Sequence, residues 1–264
     1  MDCWNGEFSR EALKLSSLEK IKTPAKTAKI DMDDKLFSSA SKMAGAENYN
    51  DWTYSLFEGS VKGSVLEVGC GVGSFTKRII DSGSFKSLLS IDISEDSIQY
   101  CRSRFKHDAM EFKCMDVTCV EGKFDTIICM NVLEHIKEDL SALRHMLGLL
   151  NPSGTLFLLV PAHQFLFSQY DIENGHYRRY SKSHLQRLVT EAAGGSGVRV
   201  TQFYFNIVGA LGYFFVYKIL KKAPRSAIQS ELSFFDNWVV PVMRRLECRR
   251  MPLGISLVSI ITKE

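Results

Sequence analysis

A chain of 264 residues, 45% hydrophobic and 24% charged, can bury a sizeable core without metals or disulfides, as one large α/β domain or one domain with a cap. Its 33 basic and 30 acidic residues leave a net charge of +3, too small for a nucleic-acid partner. Seven cysteines, an odd number with no tight CxxC pair, argue against a disulfide framework and a zinc site; Cys70, Cys101, Cys114 and Cys129 fall in apparent strands and helices and read as reduced core residues of a cytoplasmic protein.

In chain order, MDCWNGEFSREALK is charged and lacks an apolar centre, so no secretory leader is expected. Residues 1–35, rich in Lys, Ser and Thr without an apolar period, read as a mobile arm. Residues 36–62 read as a helical cap, where Tyr49, Trp52, Tyr54 and Phe57 either roof a pocket or pack in the core. Residues 63–264 read as one catalytic domain. Strands are expected at 64–69, 87–92, 110–115, 124–130, 154–161, 198–205 and 256–263, with helices starting near Ser74, Ser94 and Lys137 and another over Lys182 to Ala193. Apolar strands alternating with helices imply a parallel sheet covered on both faces, and hence a doubly wound, Rossmann-like α/β fold of about seven strands.

The first strand runs into VLEVGCGVGSF, with Gly69, Gly71 and Gly73 at every second position before a helix. Such a loop lets backbone pass close to a ligand, and the helix start behind it offers free amides. A dinucleotide fingerprint is GxGxxG; here the third glycine arrives one residue early, at Gly73, with Ser74 in its place, which disfavours but does not exclude a nicotinamide cofactor. The GxxxxGK[ST] loop of triphosphate enzymes is absent from the sequence.

GxGxG preceded by Glu67 resembles motif I of class I S-adenosylmethionine-dependent methyltransferases. The resemblance continues through SIDIS, CMDVT, FDTIICMNVLEHI and NPSGTLFLLVP. It implies S-adenosylmethionine as cofactor, with Glu67, Gly69, Cys70, Gly71 and Gly73 around its methionine end, and Asp92 with Ile93 at the ribose. It further implies Asp116 with Val117 at the adenine, and Met130 with Asn131 lining the methionine side. Such a ligand carries a sulfonium, an ammonium and a carboxylate, so it wants acceptors near the cation and backbone donors near the carboxylate.

MNVLEHIKED is also similar to the MExLEHV run of ubiquinone-biosynthesis O-methyltransferases, whose two acids and histidine are associated with a divalent metal. Glu134 and His135 match, but Asn131 replaces the first acid, and a neutral amide is a poorer ligand for a hard cation. No metal is expected on that ground; His135 acts as a base or packs at the helix start.

Between 163 and 185 lies FSQYDIENGHYRRYSKSHL, following the fifth strand at the edge where a doubly wound sheet holds its ligands. Asp171, His176, Tyr177, Arg178, Arg179 and Tyr180 can supply a base, aromatic walls and an anion clamp; alternatively Asp171 pairs with Arg178 or Arg179 to fix the loop. DxxxGHYRRYS, with NVLEHI, VPAH, PLGISL and the turn from Asn206 to Gly209, resembles a family of mainly bacterial class I methyltransferases associated with polysaccharide and lipid-linked glycan genes. The expected chemistry is removal of an acceptor proton by His176 helped by Asp171, with Arg178 or Arg179 holding an acceptor anion, Tyr177 and Tyr180 beside it, and His163 as the second candidate base.

Phe203 to Tyr217, FYFNIVGALGYFFVY, is uncharged and is followed by Lys218, Lys221, Lys222 and Arg225. The segment 203–222 is shorter in apolar content than a membrane span; it either lies on a membrane surface, covers a lipid-like acceptor, or folds as a strand and buried helix. The arginine pairs at 244 and 249 read as solvated. The expected activity is methyl transfer to oxygen of a small, lipid-linked or glycan acceptor. A nicotinamide-dependent oxidoreductase and a non-catalytic, membrane-associated cofactor-binding protein are the alternatives. Peripheral membrane contact is compatible with the segment 203–222, and no feature specifies an oligomeric state.

Overall fold

The computed structural model describes residues 40–41, 43–215, 229–247 and 251–264; the expected arm and the basic cluster from Lys218 to Arg225 lie outside them. Seven strands form one sheet: β1 (Gly63–Val68), β2 (Phe85–Asp92), β3 (Met110–Cys114), β4 (Phe124–Met130), β5 (Leu150–Pro161), β6 (Val198–Phe205) and β7 (Ser256–Lys263), in the order β3-β2-β1-β4-β5-β7-β6. Side chains alternate across it. Leu66, Ile127, Cys129, Leu156 and Leu158 join one core, whereas Val65, Ile128 and Phe157 join the other. Both faces are dry, which explains strands that read as near-continuous apolar runs.

Helices α1 (Glu47–Tyr54), α2 (Ser74–Ser82), α3 (Glu95–Arg104), α4 (Asp139–Leu149), α5 (Gln169–Glu173) and α6 (Lys182–Ala193) follow in chain order. Leu143 and Met146 of α4 and Leu185 and Val189 of α6 cover one face; Ile79 of α2 packs on the other with Tyr54 and Phe57. The start of α3 follows from Ser94, whose side chain accepts from the Ser97 amide, and that of α6 from Ser181, which accepts from His184.

Two expectations need correction. The sheet is not all parallel, because β7 runs antiparallel to both neighbours. Apolar alternation reads the same in either direction, so sequence carried no sign of the reversal. Its consequence is topological: Phe205 and Pro161 both pair with Ser256, so the excursion from 206 to 255 leaves and re-enters at the edge where β5 ends. That excursion holds α7 (Ile207–Tyr213), α8 (Gln229–Phe234), a π-turn over Phe235–Val239 and α9 (Val240–Leu246). The second correction is Cys114, which is exposed; Cys70, Cys101 and Cys129 are buried.

The aromatics of the cap pack in the core. Trp52 lies 4.4 Å from Phe205 between ring centroids, and Phe57 lies 5.4 Å from Phe157. Ahead of α1, the start of the described chain approaches the glycine loop: a Cβ on Gly71 would stand 3.3 Å from that of Ala40.

Candidate active site

The strand order reverses direction between β1 and β4, so the crevice beyond their carboxyl ends is where ligands of such sheets lie. At the end of β1, Gly69 and Gly73 both have φ near +75 to +80°, and a Cβ on either would sit 2.3 Å from Val132 or Phe105. These two glycines are required by the chain's own packing. Gly71 serves differently, donating its N–H to Asp92 Oδ2 at 2.8 Å, while Asp92 Oδ1 accepts from the Ser94 amide at 2.9 Å. The carboxylate at the tip of β2 is thereby aimed by two backbone donors. Ile93 beside it is half exposed, an apolar platform at the rim.

Glu67 has a different place from the one expected. Its Oε2 accepts from Thr76 and Ser90 hydroxyls, each at 2.6 Å, joining α2 and β2 to β1 beneath the loop. Burial pushes its pKa up to about 7, partly offset by those hydroxyls. It is therefore a brace under the cradle. Neither Thr76 nor Ser90 was legible as a partner, since nothing local pairs them. Asp116 caps the short turn Val117–Cys119, accepting from the Thr118 amide and hydroxyl at 2.8 and 2.6 Å through Oδ1; it is exposed, and Val117 is buried. Cys70 is buried. Met130 ends β4, and Asn131 follows in the left-handed region, φ 53°, its N–H bonded to the Leu159 carbonyl. A non-glycine residue held there marks a tightly specified backbone at the crevice.

The second half of the site joins the turn after β4 to the loop before α6. The Tyr177 N–H donates to the Glu134 carbonyl at 2.8 Å, and Arg178 donates to the carbonyls of Ile136 and Lys137 at 2.7 and 2.8 Å. These bonds bring His176 to Glu134 and His135. The His135 and His176 rings meet edge-to-face, 4.7 Å between centroids. Asp171, fully buried, accepts at Oδ1 from Arg179 Nε at 2.8 Å and lies 2.9 Å from His176 Nδ1. At Oδ2 it accepts from the Ser168 amide and the Tyr213 hydroxyl, each at 2.9 Å. Burial would raise its pKa, but the His176 hydrogen bond and the Arg179 charge outweigh it and hold it at about 2. An ionised carboxylate only accepts, so His176 donates from Nδ1 and presents Nε2.

Several expected substrate contacts are committed elsewhere. Arg179 is buried on Asp171 and over the Tyr213 ring, Arg178 pairs with Asp139 at 3.0 Å, and Tyr180 is fully buried with its hydroxyl on Asp139. The anion clamp is thus corrected to a loop brace; Tyr177 remains exposed. His163, φ 64°, packs against Tyr204 at 4.4 Å, and burial lowers its pKa. Tyr213 was missed because it lies in the apolar run, whereas Ser168 was readable three residues before Asp171 as a capping box.

The metal implied by the ubiquinone-biosynthesis resemblance can be tested against these side chains. Asn131 is exposed, but Glu134 is 1% exposed with neither carboxylate oxygen hydrogen-bonded, and ligand atoms of Glu134, His135 and His176 lie within 4.8 Å of one another. That set fits a cation, and it includes a histidine that local sequence did not connect to the motif.

Fold and cradle define a class I methyltransferase architecture of the S-adenosylmethionine-dependent type. A family model described as "Methyltransferase domain" matches residues 41–194, more than half of the chain, and the chain belongs to that family. It is 37% identical over 101 residues to the mitochondrial ubiquinone biosynthesis O-methyltransferase of Saccharomyces cerevisiae, covering 36% of this chain and 32% of that protein. It is 38% identical over 66 residues to the malonyl-[acyl-carrier protein] O-methyltransferase of Acetivibrio thermocellus, covering 24% and 23%. The chain thus spans a third or less of the length of these two relatives. The plantazolicin methyltransferase BpumL in complex with SAH shares the fold, with TM-score 0.54 and 16% identity over 92% of this chain and 91% of that one. The oxidoreductase alternative falls with the family match.

Proposed function

We propose that this chain binds S-adenosylmethionine at the ends of β1, β2 and β4 and transfers its methyl group to an oxygen of a lipid-linked acceptor. The observation that carries the reading is Asp92, held between the Gly71 and Ser94 amides at the end of β2, one strand from the point where strand order reverses. Asp92 would take the ribose hydroxyls and Ile93 the adenine face, with Asp116 and Val117 at its edge. Gly69 to Gly73, Met130 and Asn131 would enclose the amino-acid end, on a loop braced by Glu67. When bound, this cofactor supplies a methyl group on a positively charged sulfur, open to in-line attack.

What the chain adds is placement and proton removal. His176 Nε2, oriented by Asp171, is the group assigned to take the acceptor's proton, with Tyr177 as the exposed wall. His135 is a poor competitor as a base, because burial and the neighbouring His176 charge lower its pKa to about 4. The name O-methyltransferase on both relatives supports oxygen as the nucleophile. Support for a lipid-linked acceptor comes from the excursion rooted beside the site: Phe234, Trp238, Val242 and Leu246, four residues apart, are all 53 to 70% exposed.

Calorimetric titration with the cofactor, then radiolabelled methyl transfer to extracted lipids and to soluble glycans, tests the reading. Asp92→Ala should weaken cofactor binding by more than about tenfold, as loss of charge-assisted hydrogen bonds does. His176→Ala should leave binding intact and lower turnover on the order of 10² to 10⁴-fold. Binding without transfer to any lipid or glycan would mark a non-catalytic binder, and unchanged turnover would remove His176 from its role.

A further inference from the structure

Glu134 is the least compensated charge among the described residues near the site. It is 1% exposed in the turn after β4, and neither carboxylate oxygen has a hydrogen-bond partner. An ionised carboxylate in that position costs several kcal/mol unless a counter-charge reaches it. The buried cation of the neighbouring loop, Arg179, is already bonded to Asp171.

Both imidazoles can serve as metal ligands. His176 Nδ1 is fixed by Asp171 Oδ1 at 2.9 Å, which orients the ring and presents Nε2, as carboxylates do behind metal-bound histidines. The His135 ring meets it edge-to-face, 4.7 Å between centroids. One ring nitrogen of each imidazole and a Glu134 carboxylate oxygen lie within 4.8 Å of one another. That separation is too long for a direct hydrogen bond at its upper limit and suits donors that converge on a shared ion.

We infer that Glu134, His135 and His176 form a binding site for a divalent first-row transition cation, with Asp171 as the outer support. The set differs from the two acids and one histidine of the ubiquinone-biosynthesis run. The acid's place is taken by the exposed Asn131, and His176 enters from the loop before α6. Two imidazoles and one carboxylate favour zinc, cobalt, nickel or iron over magnesium and calcium, which prefer all-oxygen sites. Three protein ligands leave room for exchangeable positions, the condition of a catalytic site. A cation there would engage His176 Nε2 and so replace the proton-accepting role given to that atom.

The site shares His176 with the proposed methyl transfer but is tested without it. The full chain is stripped with a chelator and titrated with cobalt(II) alone, followed by visible absorption and equilibrium dialysis; zinc is then used as competitor. Expected are one cobalt ion per chain with ligand-field bands, displacement by zinc, and no displacement by magnesium in large excess. His176→Ala and Glu134→Gln should each weaken binding by more than about tenfold, and Asp171→Asn by roughly ten- to a hundredfold. Circular dichroism separates lost binding from lost folding. His176, on a partly exposed loop, is the variant for which that control matters least. Absence of stoichiometric cobalt binding by the unmodified chain overturns the inference, as does binding that survives both His176→Ala and Glu134→Gln. Cobalt binding without methyl transfer would leave this site standing and remove the proposed activity; transfer without cobalt binding would do the reverse.

Discussion

Glu67 is a carboxylate in a dry place, and its chemistry sets a measurable property of the fold. With a folded pKa of about 7 against an ordinary value of 4.5, the native chain retains a proton that the unfolded chain releases. Stability therefore falls as pH rises between those values and levels off above 7, by on the order of 3 kcal/mol from this group. Glu67→Gln keeps an oxygen for Thr76 and Ser90 but removes the titration. Urea unfolding at pH 5 and pH 8 should show a markedly smaller loss in the variant, with a residue left by Glu134, whose pKa burial also raises to about 7. Equal losses in variant and parent would mean that Glu67 is not the titrating brace. Asp171 lies outside this window. Its pKa of about 2 keeps its contribution present above the ordinary carboxylate range, with loss only as pH falls through that value.

At the scale of elements, α1 shows how a helix can lack its own cap. Ala46 precedes it and offers no side-chain acceptor. Asp236, from the π-turn far along the chain, accepts instead from the Asn48 and Tyr49 amides at 3.1 and 2.8 Å. Glu247 likewise accepts from the amides of Asn206 and Ile207 at the start of α7. The first cap ties the excursion to α1, and the second ties its later part back to its start. Asp236→Ala should cost about 1 to 2 kcal/mol in urea unfolding, with loss of exchange protection at the Asn48 and Tyr49 amides. Protection that persists there would show the cap to be dispensable. None of this was legible locally, because capping partners separated by 188 residues leave no pattern in either segment. The helix starts at Ser74, Ser94 and Ser181 were legible because their signals sit within a few residues.

For the whole molecule, antiparallel β7 puts the 206–255 excursion at the same edge as the candidate site. Its exposed ridge of Phe234, Trp238, Val242 and Leu246 adjoins exposed Arg244 and Arg245. From Ala192 to Ser230 the sequence contains no acid and five basic residues. Such a surface should favour anionic lipid. No helix among the described residues is long and apolar enough to cross a membrane. The chain should float with vesicles containing phosphatidylglycerol and much less with neutral ones, and Trp238→Ser with Phe234→Ser should reduce flotation several-fold. Equal recovery of parent and double variant would remove the ridge as the contact.

The proposed cofactor half of the site was readable in the sequence, because a glycine loop, a strand-end aspartate and the order of strands are short-range signals that survive without coordinates. Sequence alone therefore determined the class of fold and put Gly69 to Gly73, Asp92 and Asn131 at the ends of β1, β2 and β4. Tertiary structure decided the rest: the reversal of β7, the bracing role of Glu67, the commitment of Arg178 and Arg179 to the loop, and the meeting of His176 with Glu134 and His135. The physical reason is that local preference fixes where a strand or cap begins, whereas partner choice depends on which distant groups share a dry interior once the chain has packed.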